Sequence, residues 1–108
     1  MAKTKRQKTR ENIRESLIMQ LHGMGANVAH FENLIEDYLS FWDTKAKLNE
    51  DIKTRGIVYE DFSASGVSMK KNNPSVKDVV TVSRQMLMIL DKLGIDTKNV
   101  PDGGEDDL

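Results

Sequence analysis

The chain has 108 residues and a formal net charge of −1, and charged residues make up 31% of it. This length allows one domain at most, with a modest core, and no apolar run reaches the ~20 residues that a membrane helix needs. The basic N-terminus is not followed by the apolar segment of a secretory signal. The chain contains no cysteine, which excludes disulfides and thiolate metal sites and is compatible with a reducing cytoplasm.

Opposite charges are concentrated at the two ends of the chain. Residues 1–10 contain five basic residues and no acid, and residues 102–108 contain four acids and no base. A chain with one basic and one acidic end often binds two different partners. Two solvated tails without partners would show the same pattern, so both interpretations stay open.

The N-terminal region is predicted to form a flexible arm and a short helix. Residues 1–8 show no apolar periodicity and are typical of a flexible basic arm. A first helix is predicted over about 9–22, because Thr9 can cap free backbone N–H groups and glycines follow the last apolar residue. Its apolar residues recur at helical spacing: Ile13, Leu17, Ile18 and Leu21.

A long second helix is predicted over 27–55, with Asn27 as its N-cap and Gly56 as its C-terminal stop. At ~1.5 Å per residue it would be roughly 43 Å long, which is too long for an ordinary compact domain of this size. Its apolar stripe has three-four spacing and is widened on one flank by Ile35 and Trp42. The residues of the stripe itself are Phe31, Leu34, Tyr38, Phe41, Leu48 and Ile52.

A β-hairpin and a third helix complete the predicted elements. The segment 57–71 is rich in residues that favour strands, and Ser65-Gly66 supplies a turn. Asn73 as N-cap and Pro74 at the first helical position start a helix over 74–93. The acidic tail 96–108 is predicted to be flexible. The apolar stripe of the third helix consists of Val76, Val79, Val80, Met86, Leu87, Leu90 and Leu93.

Together these elements predict a mainly α fold. It consists of a short N-terminal helix and a long antiparallel helical hairpin whose two helices are joined by the small β-hairpin. The folded domain would span 9–95. An antiparallel return would place Met86 and Leu90 near residues 31–38, and residues 76–80 near residues 48–52.

One ordered set of residues runs through the two long helices and the hairpin. It consists of Phe31, Asp37-Tyr38, Trp42, Leu48, Asp51-Ile52, Arg55-Gly56, Ser65-Gly66, Asn73-Pro74-Ser75, Gln85-Met86 and Leu93-Gly94-Ile95. In order and spacing these residues resemble the small subunit of phage terminases, the family common in phages of Gram-positive bacteria, from about Ile13 to Ile95. The resemblance implies a homo-oligomeric ring that binds double-stranded viral DNA at the packaging start site, in the cytoplasm of the bacterial host. It also implies that the ring recruits the terminase large subunit, which hydrolyses ATP and cuts DNA.

The apolar surface of the second helix is broader than two neighbouring helices can cover, which indicates an interface between copies. Alternatively, the first helix folds down and completes a monomeric three-helix core. The predicted interface residues are Phe31, Leu34, Ile35, Tyr38, Phe41, Trp42, Met86 and Leu90.

Binding to DNA phosphates is predicted from basic residues near the N-terminus and on the hairpin. Arg10 and Arg14 could instead pair with acids of the second helix. Glu36 and Asp37 are candidates for that pairing, and Lys70-Lys71 could be a solvated strand edge. The candidate DNA-binding residues are Lys3, Lys5, Arg6, Lys8, Arg10, Arg14, Lys70 and Lys71.

A complete helix-turn-helix module, which members of the family often carry, is not predicted here. The second helix is far longer than an ordinary recognition helix. This departure puts sequence-specific reading in doubt and favours recognition through many weak copies of one basic arm.

Catalytic and metal-binding signatures are lacking in the sequence. His22 and His30 do not have the spacing and the glutamate of a helical zinc site, and the glycine pairs do not form a phosphate loop. The chain is therefore predicted to be a non-enzyme without metal or cofactor.

The resemblance implies that the C-terminal segment docks on the terminase large subunit. The residues that would do so are Glu105, Asp106, Asp107 and Leu108. An unbound, solubilising tail is the alternative.

Two other functions fit a small helical chain. One is a coiled-coil-like structural or adaptor protein without a DNA role, for which deleting residues 1–8 would change nothing. The other is a small helical transcription regulator, which would separate its operator from random DNA by ~4–10 kcal/mol.

Overall fold

The computed structural model describes residues 2–26 and 28–95. Its elements in chain order are α1 (Lys5–Gly23), α2 (Val28–Arg55), β1 (Val58–Phe62), β2 (Ser68–Asn72) and α3 (Pro74–Leu93). The structure is mainly helical, and a two-stranded antiparallel sheet lies between α2 and α3. The predicted fold class is thereby confirmed. None of the described helices is long and apolar enough to cross a membrane.

The first helix begins earlier than predicted, at Lys5 instead of near Thr9. Thr4 is the actual N-cap: its Oγ1 accepts a hydrogen bond from the backbone N–H of Gln7 at 3.0 Å, and its own N–H donates to Gln7 Oε1 at 2.8 Å. This reciprocal pair is a capping box, which satisfies two N–H groups that the start of a helix leaves free. Thr9 lies inside the helix, where its hydroxyl donates to the carbonyl of Lys5 at 3.0 Å. The predicted helix start was therefore wrong, and part of the predicted arm is helical.

The structure divides into two compact units, and the described residues of the first are 2–26, 28–39 and 87–95. The core of this unit is formed by apolar residues of α1, the beginning of α2 and the end of α3. Leu21, Ile35 and Leu39 are its most deeply buried side chains. Among the described residues of this unit, the buried apolar ones are Leu17, Leu21, Ile35, Leu39, Ile89, Leu93 and Ile95.

The apolar residues of α2 that are buried lie one position further along the chain than the predicted stripe. The pair Ile35 and Leu39 is buried, whereas Leu34 and Tyr38 are only half-buried. Leu39 was missed because the three-four spacing was traced through its neighbours. The row with Ile35 and Leu39 and the row with Leu34 and Tyr38 are adjacent on the helix surface. Periodicity alone therefore does not decide which row faces the core.

On α3 the predicted stripe was wrong at Val80 and Leu87, whose side chains are exposed. The buried apolar residues of this helix are Met86, Ile89 and Leu93, which follow each other at spacings of three and four residues. The chain after α3 turns through Gly94, which has a φ of 73°. The buried Ile95 then donates its N–H to the carbonyl of Leu90 at 3.0 Å.

The second unit comprises residues 40–86 and contains the β-hairpin. The register of β1 and β2 runs from Val58 opposite Asn72 to Phe62 opposite Ser68. The hairpin loop is closed by the N–H of Ser63, which donates to the carbonyl of Val67 at 2.9 Å. Gly66 adopts a φ of 85° in this loop, a left-handed conformation that side chains with a Cβ rarely adopt.

The start of α3 is built as predicted, with Asn73 as N-cap. Its Oδ1 accepts a hydrogen bond from the N–H of Ser75 at 2.9 Å, and its carbonyl accepts from the N–H of Val76 at 3.1 Å. The predicted N-cap of α2, Asn27, and the acidic tail lie outside the described residues.

Candidate nucleic-acid interface and the base of the hairpin

The start of α1 carries a cluster of cations. Lys5, Arg6 and Lys8 are exposed, Arg10 is half-buried, and the first turn contains no acidic residue. The N-terminus of a helix bears the positive end of the helix dipole, so each cation placed there costs roughly 0.3–1 kcal/mol of helix stability. Helix stability alone therefore disfavours this arrangement. A polyanionic partner such as nucleic acid would turn the same arrangement into a favourable one.

Lys3 lies before the helix and forms an ion pair with Glu11. Both side chains are about half exposed, at 56% and 49%. Exposed pairs of this kind contribute roughly 0–1 kcal/mol. The ammonium group of Lys3 is therefore only weakly held and remains within reach of a competing phosphate.

Arg14 is engaged by two carboxylates of α2. Its Nε lies 2.9 Å from Glu36 Oε2, and its Nη2 lies 2.6 Å from Glu32 Oε2. The hydrogen bond to Glu36 is the main reason that the pKa of the Arg14 guanidinium is raised above its ordinary value. The pairing considered as an alternative to DNA contact is the one present, with Glu32 as the second partner instead of Asp37. Arg14 thus joins α1 to α2 and is a poor candidate for phosphate contact.

Lys70 and Lys71 do not form one basic patch, because neighbouring residues of a strand point to opposite faces of the sheet. Lys71 Nζ lies 3.1 Å from Asp61 Oδ2 on one face. The pKa of the Asp61 carboxyl is lowered first by the backbone N–H of Phe62 and then by this lysine. Lys70 is exposed on the other face, directly opposite Glu60 in the register.

The base of the hairpin is held by four polar residues, Asp51, Arg55, Asn73 and Ser75, which we call the polar clamp. Arg55 donates two parallel hydrogen bonds to the carboxylate of Asp51, both of 2.8 Å, and a third to Asn73 Oδ1 at 3.1 Å. Ser75 Oγ donates to Asp51 Oδ2 at 2.6 Å. The amide group of Asn73 donates to the carbonyl of Gly56 at 2.9 Å. The clamp therefore ties the end of α2 to the beginning of α3.

The carboxylate of Asp51 is kept charged by these contacts. The hydrogen bonds from Arg55, followed by the one from Ser75, hold the pKa of Asp51 well below its usual range. The guanidinium of Arg55 also lies over the ring of Tyr59, 4.5 Å from its centroid, a favourable cation–π distance. Through this contact the clamp extends into the first strand of the hairpin.

The polar clamp consists of residues that also carry the sequence resemblance. Asp51, Arg55-Gly56 and Asn73-Pro74-Ser75 were selected for their order and spacing, and no hydrogen-bonded contact between the two segments was predicted from them. The structure brings them into one hydrogen-bonded group, in which Asn73 and Ser75 are buried. Sequence reasoning recognised Asn73 as a helix cap and missed the network around it. An Asp and an Arg four residues apart on a helix were the available signal.

The family model for the phage terminase small subunit matches residues 11–99 of the chain. The chain belongs to this family. A search of curated proteins and a search of solved structures each returned no match. Membership supports a general role in the packaging of phage DNA by the terminase complex.

In this terminase small subunit, the residues predicted for the oligomer interface differ in exposure. Ile35 and Met86 are buried within a single copy of the chain, so their side chains already belong to its own packing. Burial also raises the pKa of the Tyr38 phenol. The half-buried members of the predicted set are Phe31, Leu34, Tyr38, Phe41, Trp42 and Leu90.

Other predicted features of the small subunit have the following positions. His22 and His30 are exposed. Over residues 2–26 and 28–95, no group of three or more histidine, cysteine or acidic side chains is arranged to hold a metal ion. The residues predicted to dock on the large subunit, Glu105, Asp106, Asp107 and Leu108, lie outside the described residues.

Proposed function

We propose that this terminase small subunit assembles into a homo-oligomeric ring, binds double-stranded viral DNA at the packaging start site and recruits the large subunit. ATP hydrolysis and DNA cleavage then belong to the large subunit, in the cytoplasm of the bacterial host, and this chain positions the DNA without being an enzyme. The match of the family model over residues 11–99 is the observation that carries the proposal.

The basic start of α1 supports DNA binding. Its cations oppose the helix dipole, and Lys5 and Lys8 project from the exposed side of the helix. A subunit that contacts ~4 phosphates binds weakly, and its affinity falls steeply with salt. Linked copies in a ring raise the avidity by orders of magnitude without any new contact. Arg14, which is bound by Glu32 and Glu36, is not part of the proposed DNA surface.

Exposed apolar side chains support assembly. Leu87 and Met88 are exposed in the first unit and Val80 in the second. The hairpin exposes further large apolar residues. Contiguous apolar surface on a small soluble protein usually marks an interaction site. In the proposal the half-buried residues of the predicted interface complete this contact between subunits.

A titration of DNA binding against salt tests the proposed basic surface. We expect Lys5→Gln/Lys8→Gln to weaken binding to a duplex carrying the packaging region. It should also flatten the plot of log Kobs against log salt concentration by about 0.9 for each DNA phosphate that the variant no longer neutralises. The measurement is fluorescence anisotropy at several salt concentrations, with the oligomeric state checked by light scattering.

The matched control is Lys47→Gln/Lys53→Gln, which removes the same charge from two exposed positions of α2. It should bind DNA as the wild type does. Equal losses of DNA affinity in the two variants would show that net charge, and not the position of the lysines, determines binding. If the wild type is oligomeric but does not bind DNA at low salt, the adaptor function is favoured instead.

A further inference from the structure

Over residues 2–26 and 28–95 the sheet has only two strands, so the β-hairpin has two open edges, and the backbone groups on each edge can be identified. The hydrogen bonds from the N–H of Ser63 to the carbonyl of Val67 and from the N–H of Asn73 to the carbonyl of Ile57 mark the hydrogen-bonded positions of the register. In an antiparallel ladder, hydrogen-bonded residue pairs alternate with pairs that do not bond to each other. The residues of the second kind direct their N–H and C=O groups to the free edge of the sheet. These residues are Val58, Glu60 and Phe62 on β1, and Ser68, Lys70 and Asn72 on β2.

The contacts around Phe62 agree with this assignment. Its N–H donates to Asp61 Oδ1 at 2.8 Å and so is not directed at β2. The outward N–H groups of Glu60 and Lys70, near the middle of each edge, have no comparable side-chain acceptor in the described part of the chain. An edge of this kind is a template for another strand.

The two edges differ in charge. Strand β1 carries Glu60 and Asp61, and β2 carries Lys70 and Lys71. Asp61 and Lys71 pair with each other within the hairpin, at 3.1 Å. Glu60 and Lys70 are both exposed, and neither takes part in an ion pair among the described residues. One edge of the sheet therefore presents an acidic side chain at its centre, and the other edge presents a basic one.

Exposed apolar side chains lie on both faces of the hairpin. Val58 and Phe62 flank Glu60 on the same face of β1 and are 48% and 66% exposed. Ile57 and Val67, at the two ends of the hairpin, lie on the opposite face and are 65% and 63% exposed. A two-stranded hairpin is at best marginally stable by itself in water, so a third strand paired with one of its open edges, with side chains beside these apolar residues, would stabilise it.

We propose that β1 of one copy pairs edge to edge with β2 of a neighbouring copy. The hairpins of successive subunits then form one continuous antiparallel sheet. This inference rests on the oligomer of the proposed function and names one of its contacts. Pairing β1 with β2 sets Glu60 beside Lys70 of the neighbour. Pairing two β1 strands would set acid against acid, and pairing two β2 strands would set base against base, both of which are unfavourable.

The contact also has the symmetry that a ring needs. A contact between two different edges is heterologous and can be repeated from copy to copy until a ring closes, whereas two identical edges would stop at a dimer. Since β1 and β2 are antiparallel within one hairpin, hairpins repeated in one orientation present β2 antiparallel to the next β1. The same ladder geometry is thus continued between copies.

Two charge-reversal variants, mixed with each other, test this contact. Glu60→Lys makes both edges basic, and Lys70→Glu makes both edges acidic. We expect each variant alone to form smaller assemblies than the wild type in light scattering. An equimolar mixture should regain the larger mass, because the basic edges of one variant fit the acidic edges of the other. Repulsion between residues 60 and 70 within one hairpin, where they lie opposite each other in the register, would not be repaired by adding a second chain.

Controls and contrary outcomes separate this contact from the proposed function. Glu50→Lys and Lys77→Glu make the same charge changes at exposed positions outside the hairpin and should leave the mass unchanged. If the wild type is oligomeric and both hairpin variants assemble normally, this contact is wrong and the proposed function stands. The contact is also overturned if the variants form smaller assemblies that do not regain mass when the two are mixed. The defect would then lie within each hairpin. A wild type that is monomeric at all concentrations overturns both the contact and the ring.

Discussion

Asp51 accepts hydrogen bonds from Arg55 and Ser75, so its carboxylate is stabilised in the charged form within the polar clamp. Two residues of the clamp, Asn73 and Ser75, are buried, and each makes hydrogen bonds there. Buried polar groups are tolerated when their hydrogen bonds are satisfied and are costly when a partner is removed. The clamp is therefore a local structural device that sets where the hairpin leaves α2 and where α3 begins.

The clamp leads to a prediction on pH and stability. Because the folded-state pKa of Asp51 is lowered, its contribution to stability is present above the ordinary aspartate pKa and is lost as the pH falls towards the lowered value. We expect Asp51→Asn to unfold at a lower urea concentration than the wild type at pH 7. The difference should shrink as the pH falls below about 4. Urea denaturation followed by circular dichroism at several pH values measures it.

Asp78→Asn is the matched control, since Asp78 is exposed on α3 and lies outside the clamp. It should unfold close to the wild type across the same pH range. A pH-independent difference between wild type and Asp51→Asn would mean that the carboxylate charge does not contribute.

At the scale of elements, helix boundaries and helix faces were predicted with different success. The start of α3 was predicted because Asn73 and Pro74 act locally, through a cap and a fixed backbone angle. The start of α1 was missed although it is also local, since Thr4 and Gln7 have the spacing of a capping box. The buried face of α2 was shifted because periodicity defines a stripe but not its neighbours.

A comparison of two alanine variants tests the face of α2. Leu39 is fully buried in the first unit, so Leu39→Ala should lower the free energy of unfolding by about 2–5 kcal/mol. Met19 on α1 is 64% exposed, and Met19→Ala should change it by less than about 0.5 kcal/mol. Urea denaturation gives both values. Equal effects would contradict the assignment of Leu39 to the core.

At the scale of the whole molecule, the proposed function depends on several copies acting together. One basic helix start offers few cations to a DNA backbone, and among the described residues no third strand pairs with either edge of the hairpin. Both features become useful when the chain is repeated in an assembly, through avidity for DNA and through strand pairing.

Assembly predicts that stability depends on protein concentration. A hundredfold increase in subunit concentration is worth up to about 2.7 kcal/mol per subunit by mass action. With urea m values of about 1–3 kcal/mol/M for small proteins, we expect the urea midpoint to rise by about 1 M or more over that range. A midpoint independent of concentration would indicate a monomer and would contradict the ring.

The sequence by itself determined the order and kind of the elements, the class of fold and the family. These properties depend on signals between residues close in the chain: helical periodicity, caps, turn glycines and the spacing of motif residues. Only the tertiary structure decided which side chains meet. It placed Arg14 between Glu32 and Glu36, joined Asp51 and Arg55 to Asn73 and Ser75, and buried Leu39 instead of Leu34. Such contacts depend on how separate elements pack, and the spacing within one element does not contain that information.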